Sequence, residues 1–186
     1  MTVPGPDGLL RCAWATSAPE YIEYHDNEWG MEIRDDVHLF ERMTLEGFQS
    51  GLSWLTILRK RENFRAAFAN FDPAVIAKYD AADFDRLMTD PGIVRNRLKI
   101  NATISNARAL LELGEGEFTE LLWSFQPAKH KAPKTFAEVP ATTPESAAMS
   151  KALKKKGFVF VGPTTAYALM QATGIVNDHL ATCTAR

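Results

Sequence analysis

Hydrophobic positions along most of this chain recur every three or four residues, the spacing of a buried helix face. After Asp36, residues Leu39, Phe40, Met43 and Gly47 fall on one side of a stretch that runs to about Ser50. Gly51 suits a C-terminal cap, and Ser53 opens a second helix that carries Trp54, Ile57, Leu58, Phe64 and Phe68 to about Asn70. Asp72 and Pro73 read as the cap and first position of another. A longer helix is predicted over about 94–113 on Ile100, Ile104, Ala107 and Leu111, and a short one holds Leu121, Leu122 and Trp123. Residues 126–143, rich in Pro, Lys and Thr, read as a crossing loop. The pattern as a whole predicts an all-α fold.

One segment breaks the helical period. Thr143 and Pro144 open a helix with Ala148, Met149, Ala152 and Leu153, which ends in Lys154, Lys155, Lys156 and Gly157. Cations in a last turn followed by glycine are a helix stop. The following "FVFV" would read alone as a buried strand, but no other segment offers it a partner for its backbone groups. The better reading is a short hairpin at 157–162, its Phe and Val packed inward, before a helix over 163–174. Gly162 lets backbone approach a ligand closely, and the free N–H groups opening the next helix suit a phosphate. A purely structural helix turn is the competing reading.

Composition narrows the setting. A chain of 186 residues can form one domain with a real core, or two small lobes. No apolar run approaches the ~20 residues of a membrane span, and the N-terminus lacks the pattern of a signal peptide. The expected compartment is the reducing cytoplasm, which disfavours a Cys12–Cys183 disulfide. A net charge of −2 argues against indiscriminate attraction to phosphate polymers. Local basic faces remain at "RKR" (59–61), "RNRLK" (95–99) and "KKK" (154–156), each also readable as a solvated helix surface.

Two groups of residues carry candidate chemistry. In "NDHLATC", residues 177–183, His179 and Cys183 would share one face of a helix. Cys12 is the only other cysteine, and His25 lies ahead of the first regular helix predicted above. Together they form a Cys₂His₂ set suited to tetrahedral Zn²⁺, closed to water and therefore structural. The spacing matches no zinc finger, so unrelated buried thiols and surface histidines are the alternative. His38 and His130 fall in an exposed helix and a loop and are left out. The second group is "YIEYHDNEWG" at 21–30, Trp14, and "LEGFQSGLSW" at 45–54. Glu46 lies at the edge of an apolar stripe, where it either pairs with Arg42 or points into a cavity, and Trp54 follows across the Gly51 turn. Each aromatic alone is as readily core. Their concentration beside an inward carboxylate points to a pocket for a flat, electron-poor or cationic group.

"YHDNEWG", "EGFQSGLSW", "RKRENFRAAF", "GIVRNRLKI", "NARAL", "LKKKGFVFVGPT" and "GIVNDH" together make the chain, from about residue 11 onward, resemble the 3-methyladenine DNA glycosylase I family. The resemblance implies a two-lobed helix–hairpin–helix fold in a single glycosylase unit, 1–186. Segments of about 11–35 and 175–186 would form a zinc-stapled lobe, and about 36–174 a helical lobe with the hairpin 157–162. It implies one structural Zn²⁺ on Cys12, His25, His179 and Cys183. It further implies a base pocket of Glu46, the catalytic candidate, with Tyr24, Trp54, Trp14 and Trp29, and a DNA-backbone anchor of Lys154, Lys155, Lys156, Gly157, Gly162 and Thr164.

The implied activity is that of an N-glycosyl hydrolase without lyase activity. It would take alkylated double-stranded DNA, flip out 3-methyladenine and release it as the free base, as a cytoplasmic monomer working on the nucleoid with no membrane partner. The family lacks the Asp that many such glycosylases place after the hairpin; Asp178 is expected instead to orient His179 or cap a helix. Phe48 and Ser50 stand where a well-known member of the family is expected to have Gln and Ala, and the chain stops soon after Cys183 without the cysteine-bearing tail associated with the family. The rival readings are a non-catalytic zinc-stabilised helix–hairpin–helix DNA-binding module, a zinc hydrolase of small molecules, and a protein-interaction domain.

Overall fold

Most of the helix caps expected from the sequence hold in the computed structural model, which describes all 186 residues. Nine α-helices form: α1 (Pro19–Asn27), α2 (Asp36–Gln49), α3 (Trp54–Ala67), α4 (Pro73–Ile76), α5 (Ala81–Thr89), α6 (Arg97–Leu111), α7 (Glu117–Trp123), α8 (Pro144–Lys155) and α9 (Pro163–Ala172). Ser53 caps α3 by accepting from the Thr56 N–H, Thr143 and Ser146 form a reciprocal capping box on α8, and Gly51 takes φ +83° in the turn between α2 and α3. Asp35 caps α2 by accepting from the His38 N–H. Asp36 reaches across space to the N–H groups of Gly116 and Thr119, both at 2.9 Å, and so caps α7.

α2 is the axis of the fold. Every residue from Leu39 to Phe48 is buried, with α3, α6, α7 and α9 packed around the helix. A helix buried on all sides must account for each polar residue it carries. Glu41 takes the Arg65 guanidinium at 2.8 Å, and Arg42 pairs with Glu28 of the segment after α1. Glu46 has no such partner. The main core runs from Leu39 to Val176 through five fully buried phenylalanines of α2, α3 and the segments that follow them: Phe40, Phe48, Phe64, Phe68 and Phe71. A separate small cluster joins Cys12, Leu180 and Cys183, with Trp14 and Ala185 against it.

The structure corrects several expectations. The fold is mostly helical, as expected, with one small addition. Two three-residue strands, β1 (Thr2–Pro4) and β2 (Leu10–Cys12), pair antiparallel with Thr2 opposite Cys12. α1 and α5 were not anticipated, and His25 sits within α1 rather than ahead of the helices. α3 ends at Ala67, because Ala69, Asn70 and Phe71 adopt left-handed conformations that turn Phe71 into the core against Phe68. Residues 177–183 form turns, so His179 and Cys183 do not share a helix face.

The hairpin between α8 and α9 has no strand, and a side chain does the work of one. Asn106 of α6 donates Nδ2 to the Val159 carbonyl at 3.0 Å and accepts from the Val159 N–H at 2.8 Å, while Ser150 Oγ donates to the Val161 carbonyl. Phe158 packs inward on Phe118, as expected. Val159 and Phe160 instead face outward, 46% and 41% exposed, with Phe160 at φ +62° on the tip. No helix is long and apolar enough to cross a membrane.

Candidate functional site

α1, α2, α3 and α9 meet around a cavity of about 290 Å³ lined by Trp14, Tyr21, Tyr24, Trp29, Glu46, Gln49, Trp54, Ala168 and Gln171. All five pocket residues implied by the sequence are therefore brought together. Glu46 and Gln49 are three apart on α2, Tyr21 and Tyr24 three apart on α1, and Ala168 and Gln171 three apart on α9, so each helix contributes one face. The volume is at the small end for ligand sites and suits a single flat ring system. Tyr24 and Trp54 lie 5.2 Å apart at 44°, and Trp14 meets Trp29 edge-on at 5.2 Å.

Three polar groups of this cavity, on Tyr24, Trp54 and Glu46, are unpaired. Tyr24 Oη and Trp54 Nε1 are buried without a hydrogen-bond partner, in a protein interior where such groups are nearly always satisfied. Glu46 is 7% exposed, and no protein donor reaches its carboxylate. Burial pushes its carboxyl up to about 7, with the positive charge of Arg42 pulling the other way. The same burial, reinforced by Glu46, holds the Tyr24 phenol well above its usual range, so it is a neutral O–H. Arg42 does not pair with Glu46. It is drawn off by Glu28, which also receives Arg61 through two bonds at 2.6 and 2.9 Å. Burial works against the Glu28 charge, yet the two guanidinium groups hold its pKa below the usual carboxylate value.

Tyr21, Gln49, Ala168 and Gln171 were missed by the sequence reading. Gln49 is the polar residue one turn beyond Glu46, and Gln171 is the one long polar side chain in the otherwise apolar run "AYALMQA"; those were the available signals. Tyr21 Oη accepts from the Leu55 N–H at 2.8 Å and ties α1 to the start of α3.

Behind the aromatic wall lies the second cluster. The ligand atoms of Cys12, His25 and Cys183 lie within 4.8 Å of one another, and all three residues are buried. His25 Nδ1 meets Asp26 Oδ1 at 2.7 Å, which leaves Nε2 facing Cys183 Sγ at 3.4 Å. Asp26 is held in turn by the buried Arg11. This carboxylate–imidazole arrangement fixes a ring for metal ligation. His179 is buried beside the cluster, its ring 4.6 Å from that of His25, but it is not one of the three. Its Nε2 faces the His25 carbonyl at 3.1 Å and its Nδ1 faces Asn177. Burial lowers both histidines, His179 to about 4, so both imidazoles are neutral as ligands must be. Burial pushes the Cys12 thiol up to about 12. Both cysteines are free.

Trp14 and Trp29 join the two clusters: Trp14 is 5.2 Å from the His25 ring and Trp29 4.7 Å from that of His179. Asp178 does not touch His179. It accepts from Tyr167 and Gln171 and lies 2.9 Å from His130 Nε2, which brings His130 into the fold's interior network. Lys154, Lys155 and Lys156 are exposed and enter no ion pair. Gly157 takes φ +91°, which only glycine adopts freely, whereas Gly162 has ordinary dihedrals and open space on its Cβ side. Pro163 opens α9 without a side-chain cap, so the N–H groups of its first turn, Thr164 among them, are free.

Comparison with known proteins places this arrangement. A profile of the methyladenine glycosylase family matches residues 14–186. The chain is 52% identical over 180 residues to DNA-3-methyladenine glycosylase 1 of Escherichia coli (strain K12), with 94% of this chain and 96% of that one covered. A crystal structure of 3-methyladenine DNA glycosylase I superposes with a TM-score of 0.89 at 49% identity, covering 94% of this chain and 98% of the other. A tyrosine-to-phenylalanine variant of 3-methyladenine DNA glycosylase I, crystallised in complex with 3-methyladenine, superposes with a TM-score of 0.87 at 36% identity over 94% and 96% of the two chains.

Proposed function

The chain belongs to the methyladenine glycosylase family, and from that premise we propose how its own residues carry out the reaction. It is a DNA-repair glycosylase that hydrolyses the N-glycosidic bond of 3-methyladenine in alkylated DNA. The observation that carries the residue assignment is the unpaired trio of Glu46 carboxylate, Tyr24 Oη and Trp54 Nε1 around one aromatic cavity.

A base inside a duplex is out of reach, so the nucleotide must rotate out, and a damaged base unstacks at smaller cost. Methylation at N3 leaves the adenine cationic. Trp14, Trp54 and Tyr24 offer it electron-rich faces, and entry of the cation favours the ionised form of Glu46. The C1′–N9 bond then breaks with its electron pair passing to the base, which leaves neutral. Water supplies the hydroxyl to C1′ and releases a proton. No general acid is required, because the leaving group already carries the charge. The cavity contains no lysine to form an imine with the sugar, which accords with hydrolysis and no lyase step.

The exposed lysines 154–156 and the free amides opening α9 serve as the phosphate anchor. From Thr164 to Gln171, α9 runs ~10 Å, so one rigid element links that anchor to the base pocket.

The buried thiols of Cys12 and Cys183 with the Asp26-oriented His25 fit Zn²⁺, and His179, whose ring lies against that of His25, would become the fourth ligand by turning Nε2 from the His25 carbonyl. Bound there, the ion supplies a cross-link between the two ends of the chain and takes no part at the glycosidic bond.

Methylated DNA incubated with the protein should release 3-methyladenine, and Glu46→Ala should reduce that release at least ~100-fold while the circular dichroism spectrum is kept. Full activity in Glu46→Ala would remove the carboxylate from the assignment.

A further inference from the structure

Gln171 enters the cavity from α9, and its amide is not free to turn. Nε2 donates to Asp178 Oδ2 at 2.8 Å. The same carboxylate oxygen accepts from Tyr167 Oη at 2.7 Å, and Oδ1 lies 2.9 Å from His130 Nε2. His130 Nε2 also faces the Asn177 carbonyl at 3.1 Å, and with acceptors on both sides it is the protonated nitrogen. Asp178 is 2% exposed, so its oxygens have no water to fall back on. An unconstrained glutamine presents oxygen or nitrogen to suit its ligand. Here a flip would set Oε1 against a buried carboxylate oxygen with no proton between them, a mismatch that burial makes severe. Oε1 takes no hydrogen bond from the protein.

We propose that Gln171 determines specificity: locked by Asp178, it presents a fixed acceptor that selects an extruded purine with a 6-amino group over one with a 6-oxo group. Asp178 is its positioning residue, with Tyr167 and His130 filling that carboxylate's remaining capacity. Glu46 alone does not fix this pattern, because no protein donor holds its carboxyl in one orientation, whereas Asp178 holds the Gln171 amide. The Gln171 carbonyl accepts at every pH. A 6-amino group meets it with a proton; a 6-oxo group sets oxygen against oxygen, the kind of mismatch that discriminates most strongly in a desolvated site.

This inference rests on the glycosylase reading, and one experiment separates the two. DNA carrying both 3-methyladenine and 3-methylguanine is incubated with the parent protein, Gln171→Met and Asp178→Asn, and both released bases are quantified in the same tube. The ratio of the two is internal, so partial unfolding does not change it. It should fall about tenfold in Gln171→Met, as expected for loss of one hydrogen bond, and should also fall in Asp178→Asn, where the amide is free to turn. Should Asp178→Asn fail to fold, Gln171→Met decides. An unchanged ratio in Gln171→Met overturns the proposal. A parent protein that releases no 3-methyladenine overturns the glycosylase reading, and this one with it.

Discussion

Glu46 shows how much a single side chain can be asked to bear. In the unfolded chain its carboxyl titrates near 4.5; burial in the cavity moves it to about 7. Between these values the folded protein holds a proton that the unfolded chain has lost, so stability falls as pH rises through that window. The full loss is on the order of 3 kcal/mol. Glu46→Gln should therefore melt close to the parent near pH 4 and clearly above it near pH 8. A gap in melting temperature that stays constant with pH would show that the carboxylate is solvated after all. Glu46 was readable in the sequence because its helix runs straight into the Gly51 turn with Trp54 beyond. Gln171 was not, since a lone polar residue on a helix declares its surroundings only once its neighbours are packed.

At the level of elements, the hairpin depends on one amide. Asn106 makes both of the hydrogen bonds that a neighbouring strand would have supplied to Val159. Asn106→Ala should loosen the hairpin by ~1–3 kcal/mol and weaken DNA binding while leaving capture of the free base by the pocket intact, because Asn106 does not line it. Lys155→Ala tests the same element from outside: affinity should drop on all sequences alike, and the slope of log K against log salt should become shallower by about 0.9. A slope equal to the parent's would mean that this lysine meets no phosphate. The hairpin's place was legible from "KKKG" and "GP", which are helix punctuation with a physical cause. Its outward-facing tip was not, because the clamp comes from a helix some fifty residues earlier in the sequence. The strands β1 and β2 escaped for a simpler reason, since three residues are too few to show an alternating pattern.

On the scale of the whole molecule, the ends of the chain are joined three ways. β2 receives the Thr184 N–H at the Leu10 carbonyl, Thr2 meets Thr182 at 2.8 Å, and Cys12, His25 and Cys183 converge. The convergence of Cys12, His25 and Cys183 was legible because Cys and His are scarce here and chemically distinctive. The helix expected at 177–183 was a coincidence of spacing, for turns can bring the same residues together. With Zn²⁺ in place, chelation should lower the melting temperature markedly and release about one ion per chain, and Cys183→Ser should do the same. Protein that melts identically before and after chelation would exclude a stabilising ion.

Trp14, Tyr24 and Trp29 are near neighbours in sequence, yet the wall they form leans on His179 and on the Cys12–Leu180–Cys183 cluster, which brings in residues from far along the chain. The face offered to the base is therefore only as firm as the turns that carry His179 and Cys183, and loosening those turns reaches the pocket without touching a residue that lines it.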